Sequence, residues 1–118
     1  MTALQRTLGA IVEQADGLKE VRKRELYFGD WVLVTTANST YSIHVIGDDL
    51  YHVSGGWFDR EGWSPVRTTI AGCSWGGSAI KMDIVAACGL HLEFGNRVLT
   101  SAIRKICVIP FGKKNVAN

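Results

Sequence analysis

The sequence predicts an α+β fold: an N-terminal helix, then a compact, strongly bent antiparallel sheet or small SH3-like β-barrel of about six to seven strands. The first residues place apolar side chains at helical spacing, which predicts the helix. Short alternating segments separated by glycine-rich turns predict the strands. A Gly29-Asp30 turn leading into an alternating strand is common in SH3-like barrels. We expect one domain, with a helical segment at 1–25, a β core at 26–109 and a mobile basic tail at 110–118.

The N-terminal helix is predicted over about residues 2–15, where Asp16-Gly17 provides a stop. The segment that follows is open to two interpretations. Either the helix continues past a kink, or a first strand runs from Glu25 to Phe28. The apolar residues that recur at helical spacing are Leu4, Leu8, Ile11, Val12 and Ala15.

Residues 31–54 predict a three-stranded meander, because they are rich in β-branched and aromatic residues and are divided by two turns. A two-residue turn at Asn38-Ser39 would pair Val34 with Ile43, and a turn at 47–49 would pair His44 with His52. Since strand side chains alternate, one face should be core and the other mixed. The predicted core face is Val32, Val34, Tyr41, Ile43, Val45, Tyr51 and Val53.

Further strands are predicted over 66–70, 80–85, 90–94 and 98–109, and Pro110 should end the last of them. Two segments rich in glycine and tryptophan, 55–65 and 72–78, are interpreted as long loops. Long loops inside compact domains are often functional.

The composition limits the classes of protein that fit. A chain of 118 residues with 47% hydrophobic residues can bury a sizeable core, and a net charge of +2 does not by itself indicate a polyanionic partner. No apolar run is long enough to cross a bilayer, and the first residues do not resemble a secretion signal. Three widely spaced cysteines are typical of reduced thiols. We therefore expect a cytoplasmic protein with no membrane partner.

The two glycine- and tryptophan-rich loops supply the main candidate site. If the loops meet, their aromatic rings and neighbouring arginines would form a contact surface for a protein, a small molecule or single-stranded nucleic acid. The alternative is that the tryptophans close the end of a barrel and belong to the core. The candidate partner-binding residues are Trp57, Phe58, Arg60, Trp63, Arg67 and Trp75.

Two further candidates concern chemistry. Cys73 lies in a glycine-rich segment where amide donors could activate a thiolate, although it could equally be a small packed residue. His44 and His52 face each other in the predicted hairpin, so both imidazoles could bind one metal ion if the fold supplied a third ligand, such as His91 or Asp49. Two half-exposed histidines on a sheet surface are the simpler interpretation. No cofactor is predicted.

The sequence carries no motif that specifies a reaction. It favours a small non-catalytic binding or assembly domain, and apolar residues on both faces of several strands favour a homo-oligomer. The first alternative is an enzyme or metal-binding protein that uses Cys73 or the His44 and His52 pair. Nucleic-acid binding ranks third, supported by the basic cluster at 19–24 and, separately, by the aromatic loops.

Overall fold

The computed structural model describes residues 18–76 and 79–111. Of these residues, 57% are in β-strands, and the only helical pieces among them are very short. The predicted α+β class is therefore wrong: the described chain is mostly β. Its strands and one short helix, α1, are β1 (Glu20–Arg22), β2 (Trp31–Thr36), β3 (Thr40–Gly47), β4 (Leu50–Gly55), α1 (Gly56–Arg60), β5 (Val66–Thr68), β6 (Ile70–Ser74), β7 (Ile80–Lys81), β8 (Ile84–Ala87), β9 (His91–Phe94) and β10 (Leu99–Ile109).

Eight of the strands form one antiparallel sheet in the order β5-β4-β3-β2-β10-β9-β6-β7, with β5 and β7 as its edges. The predicted closed barrel is wrong, and so is the count of six to seven strands. The long strand β10 pairs with β2 through Ile103–Ile109 and with β9 through Leu99 and Ala102. Both ladders contain a register shift, and such bulges bend a strand. Bulges in β10 therefore bend the sheet without any need for its edges to join.

The described part of the predicted N-terminal helical segment, residues 18–25, is not α-helical. Glu20–Arg22 form β1, which pairs with β8 in a separate two-stranded sheet, and Lys23–Glu25 form one 3₁₀ turn. Val21 is buried between two more exposed neighbours, so the local period is two. Pairing with β8 thus determines the structure of this segment, although its apolar residues are also compatible with helical spacing. The predicted helix over 2–15 and most of the predicted tail, residues 112–118, lie outside the described residues.

The core face predicted for the meander is confirmed, because all seven of its residues are at most 5% exposed. The first hairpin has a different register, with Val34 opposite Tyr41. The Thr36 hydroxyl accepts hydrogen bonds from the amides of Asn38 and Ser39 and so stabilises a longer turn. The shift is an even number of residues, and every side chain consequently stays on its predicted face. The second register is confirmed up to Val45, with His44 opposite His52, and a register shift follows between Val45 and Gly47.

Three aromatic rings join the two halves of the bent sheet. Phe58 of α1 lies 5.2 Å from Phe94 of β9, and Tyr41 of β3 lies 5.8 Å from Phe94, measured between ring centroids. Phe58 and Phe94 are fully buried. The segment 55–65 is therefore not simply a loop, because α1 inserts Phe58 between the halves of the sheet.

Candidate functional site: an aromatic groove at the end of the β3–β4 hairpin

A groove of about 510 Å³ lies between residues 23–28 and the turn that joins β3 to β4. Its size falls within the range usual for ligand sites. We call the exposed rings of Tyr27 and Phe28 its aromatic wall, and the more buried side chains of Leu26 and Val45 its apolar floor. The groove is lined by Lys23, Arg24, Leu26, Tyr27, Phe28, Val45, Gly47, Asp48, Asp49 and Tyr51.

Tyr27 and Phe28 are the most exposed large hydrophobic residues of the described chain, at 73% and 72%. Their backbone is nevertheless firmly held. The Gly29 amide donates to the Val45 carbonyl at 2.8 Å, and the Val45 amide donates to the Asp30 carbonyl at 2.9 Å. The loop is thereby fixed to β3 while its two rings remain in solvent. An exposed ring on a fixed backbone loses little additional freedom when a partner binds it.

Asp30 fixes the same loop from inside the protein. It is only 4% exposed, and its carboxylate accepts hydrogen bonds from the amides of Tyr27 at 2.9 Å and Phe111 at 3.0 Å. Gly29 has φ +92°, a left-handed conformation that favours glycine. A Cβ at Gly29 would lie 2.9–3.1 Å from the Phe111 side chain. The absence of a side chain at Gly29 therefore lets Phe111, which is 48% exposed, pack beside the aromatic loop.

One side of the groove carries a network of charged and hydrogen-bonding groups. The Lys23 ammonium lies 3.1 Å from Asp49 Oδ1 and donates to the Ile70 carbonyl at 2.7 Å. Burial raises the pKa of Tyr51 well above its usual range, and the negative charges and hydrogen bond of Asp49, with the charge of Asp48, raise it further. Tyr51 therefore remains a neutral hydrogen-bond donor at all ordinary pH values, and Asp49 is engaged within the protein.

Two charged residues at the groove are available to a ligand. Asp48 and Arg24 are both exposed, and neither has an ion pair among the residues that the structure describes. Since Asp49 and Lys23 already neutralise each other, the free charges of the groove are one negative and one positive. The groove thus combines an aromatic wall, an apolar floor and two opposite charges.

The residues predicted as the contact surface lie in different environments. Phe58 is buried in the core, whereas Trp57 is half-buried and packs edge-to-face on Trp63 at 5.1 Å between ring centroids. Arg60 is exposed and donates to the Ser39 hydroxyl at 3.3 Å. The tryptophan of the other loop, Trp75, is 67% exposed at the end of β6. No ring contact in the described residues joins Trp75 to Trp57 or Trp63.

Arg67, the remaining predicted contact residue, is on edge strand β5 directly opposite His52. It is exposed and faces outward, away from the core. Arg67 therefore belongs to the outer sheet face rather than to the loops.

Cys73 is fully buried, and its thiol donates to the Val85 carbonyl at 3.5 Å. Burial raises the pKa of the Cys73 thiol to about 12, more than a hydrogen bond from the Ala87 backbone lowers it. At neutral pH the sulfur is a protonated thiol, whereas the nucleophile in thiol chemistry is the thiolate. The environment of Cys73 thus favours its interpretation as a packed core residue.

His44 and His52 lie directly opposite each other on β3 and β4. The His44 ring stacks on Trp31, with centroids 4.1 Å apart and planes 6° from parallel. Within residues 18–76 and 79–111, no group of three or more His, Cys, Asp or Glu residues is placed to hold a metal ion. The two residues considered as a third ligand have other partners. Asp49 forms an ion pair with Lys23, and His91 Nδ1 is 2.9 Å from the Thr100 carbonyl.

Sequence reasoning missed the groove because both interpretations of this segment, a continued helix or a first strand from Glu25 to Phe28, place Tyr27 and Phe28 inside a regular element. The structure has a turn at these two residues. An available signal was the short segment Leu26-Tyr27-Phe28-Gly29-Asp30, where two large rings precede a glycine and an acidic residue. Such a segment fits a turn that displays its rings as well as it fits a strand. Asp30 also occupies the position just before β2, where its carboxylate can reach neighbouring amides.

Comparison with protein-family models, with curated proteins and with solved structures found no match to this chain. Among the described residues, no helix has the length and apolar character required to cross a membrane.

Proposed function

We propose that this chain is a binding domain that recognises an extended segment of a partner protein in the aromatic groove. The observation that carries the proposal is the exposure of Tyr27 and Phe28, each above 70%, on a loop fixed by hydrogen bonds at the rim of a concave surface. Aromatic side chains are enriched at interfaces and often carry much of the binding energy. Fixing them before binding reduces the entropy lost on association.

The charges of the groove define the chemistry of the partner segment. An apolar or aromatic side chain would pack between the aromatic wall and the floor formed by Leu26 and Val45. A basic residue on one side of that anchor would pair with Asp48, and an acidic residue on the other side would pair with Arg24. A basic group that also contacts a tyrosine or phenylalanine ring gains a cation–π interaction.

The proposal is tested by selecting 12-residue peptides from a random library against the wild-type domain. We expect selected peptides that carry an apolar anchor between charges of opposite sign. In fluorescence polarisation, the double variant Tyr27→Ser/Phe28→Ser should bind these peptides at least 10-fold more weakly, because it loses the aromatic wall. The matched control is Trp75→Ser, which removes a ring of similar exposure at the end of β6.

Peptides that bind the double variant as well as the wild type would refute the groove as the site. A selection that yields no binding peptide would refute the peptide-binding function itself. Gel filtration of the same samples tests the homo-oligomer proposed from the sequence. A dimer that dissociates in the double variant would make the occupant of the groove a second copy of this chain and not another protein.

A cytoplasmic location remains part of the proposal. It is supported by the three cysteines, none of which forms a disulfide bond in the structure. Reduced cysteines are usual in the reducing conditions of the cytoplasm. We propose no catalytic activity.

A further inference from the structure

The outer face of the large sheet carries a row of side chains that the groove does not use. The strand registers place Trp31 opposite His44, His44 opposite His52, and His52 opposite Arg67. Adjacent strands lie about 4.8 Å apart, so this row of four residues extends for about 14 Å across β2, β3, β4 and β5. Each of the four side chains is exposed or half-exposed.

The row combines stacked rings with a positive charge. Trp31 is 38% exposed and lies parallel to His44, with ring centroids 4.1 Å apart. His52 follows in the row, and the exposed guanidinium of Arg67 ends it at the sheet edge. Arg67 has no ion pair in the described part of the chain. The row therefore combines an aromatic stack on β2 and β3 with an available cation on β5.

The strands that carry the row and their neighbour β10 present no negative charge on this face. In the described strands β2, β3, β4, β5 and β10, none of the outward-facing residues is Asp or Glu. The next row of the same face contains the hydroxyl groups of Ser42 and Ser54, which are opposite each other. Hydroxyl groups can donate to or accept from base edges, sugars and phosphates. The face thus lacks the carboxylates that would repel a polyanion.

The geometry points to a binding site for single-stranded nucleic acid on this outer face, centred on Trp31, His44, His52 and Arg67. Because Trp31 and His44 already stack on each other, a base would stack on an outer ring face of this pair, and a phosphate would pair with Arg67. Sheet surfaces that bind single strands combine these same features, aromatic rings for stacking and basic groups for the backbone. An unpaired base offers its face to a protein ring, whereas the bases of a duplex are stacked on one another. This site is separate from the groove, and either one can fail without the other.

The test measures binding of a fluorescein-labelled 20-nucleotide dT oligonucleotide and of the matching rU oligonucleotide by fluorescence polarisation, at 20 and 200 mM NaCl. We expect binding that weakens with salt because phosphate contacts release counterions. Trp31→Leu should weaken binding by about 5- to 150-fold, as expected for loss of one stacked base. Arg67→Gln should weaken it and reduce the salt dependence by about one phosphate contact.

Two controls separate this site from general electrostatics. Arg97→Gln removes an exposed arginine between β9 and β10, outside both proposed sites, and should leave oligonucleotide binding unchanged. Inorganic polyphosphate, which has charge and no bases, should compete poorly. Absence of binding at 20 mM NaCl, equal binding by wild type and Trp31→Leu, or complete displacement by polyphosphate would each overturn the inference. Urea unfolding of each variant confirms that it is folded before its binding is compared.

Discussion

At the scale of single residues, Asp30 joins three parts of the chain. Its carboxylate accepts hydrogen bonds from the amides of Tyr27 and Phe111, and its backbone carbonyl accepts one from the Val45 amide. The residue is almost completely buried, and a buried charge is tolerated when hydrogen bonds satisfy it. Asp30 thus connects the aromatic loop, the end of the chain after β10 and strand β3.

Replacing Asp30 tests this connection. Asp30→Ala leaves two amides without their acceptor, and we expect the free energy of unfolding to fall by about 1.5–3 kcal/mol, since the lost hydrogen bonds are to a charged group. Asp30→Asn keeps one side-chain oxygen, so its free energy of unfolding should fall by less than that of Asp30→Ala. Urea unfolding measures both. Equal stability of Asp30→Ala and wild type would show that the two amide contacts do not hold the loop.

At the scale of elements, the helix α1 is short but contributes centrally to the core. It has five residues, and Phe58 is the one it buries. The Phe58 ring contacts Tyr41 and Phe94 edge-to-face, with ring centroids 6.1 and 5.2 Å away. Aromatic rings favour such arrangements over direct face-to-face stacking. The helix is therefore held mainly by one side chain that fills the space between the halves of the sheet.

Phe58→Ala should lower the free energy of unfolding by about 3–5 kcal/mol, because it removes a fully buried ring and leaves a cavity. The matched control is Trp63→Ala in the turn that follows α1. Trp63 is 52% exposed, so its loss should cost at most about 1.5 kcal/mol, mainly its contact with Trp57. Urea unfolding compares the two variants. A larger effect at Trp63 than at Phe58 would contradict this account of α1.

The contrast between Phe58 and Trp63 also shows what the sequence could predict about the tryptophan loops. Both residues belong to one segment rich in glycine and aromatics, and nothing local distinguishes the buried ring from the exposed one. That distinction depends on Phe94, which is 36 residues further along the chain than Phe58. Only the bend of the sheet brings Phe94 close to α1.

At the scale of the whole molecule, alternation along the strands was predictable and the path of the sheet was not. The core face of β2, β3 and β4 follows from period-two patterns, which need no information from the rest of the chain. Whether the sheet closes into a barrel or stays open cannot be predicted in this way. It depends on where β10 changes partner from β9 to β2. The bulges at that point have no distinctive residue pattern in the segment Leu99–Ile109. Likewise, Val21 joins a strand only because β8 lies beside it.

The buried ionisable groups predict how the whole molecule responds to alkaline pH. Burial raises the pKa of Cys73 from 9.0 to about 12, and it raises the pKa of Tyr51 above its ordinary value of 10.0. Both groups ionise more readily in the unfolded chain. The stability they contribute is therefore complete below about pH 9 and is lost as the pH rises above it.

Between pH 8 and pH 10, wild type should lose about 1.4 kcal/mol more stability than Cys73→Ala, because one proton difference contributes about that much per pH unit. Above pH 10, Tyr51→Phe should lose less stability with rising pH than wild type does. Urea unfolding at fixed pH values measures both effects. If Cys73→Ala loses stability with pH as steeply as wild type, the Cys73 thiol does not remain protonated in the folded protein at these pH values.

The edges of the large sheet limit how any partner can be recognised. Strand β5 has three residues and β7 has two, so each exposes very few unpaired amides and carbonyls. A partner strand that extended this sheet would gain few backbone hydrogen bonds, which are the main source of affinity in that kind of recognition. Partners must therefore be recognised mainly through side-chain contacts, which depend on the residue types on both surfaces. Selectivity in this protein should therefore be changeable by point substitutions, without rebuilding the backbone of the sheet.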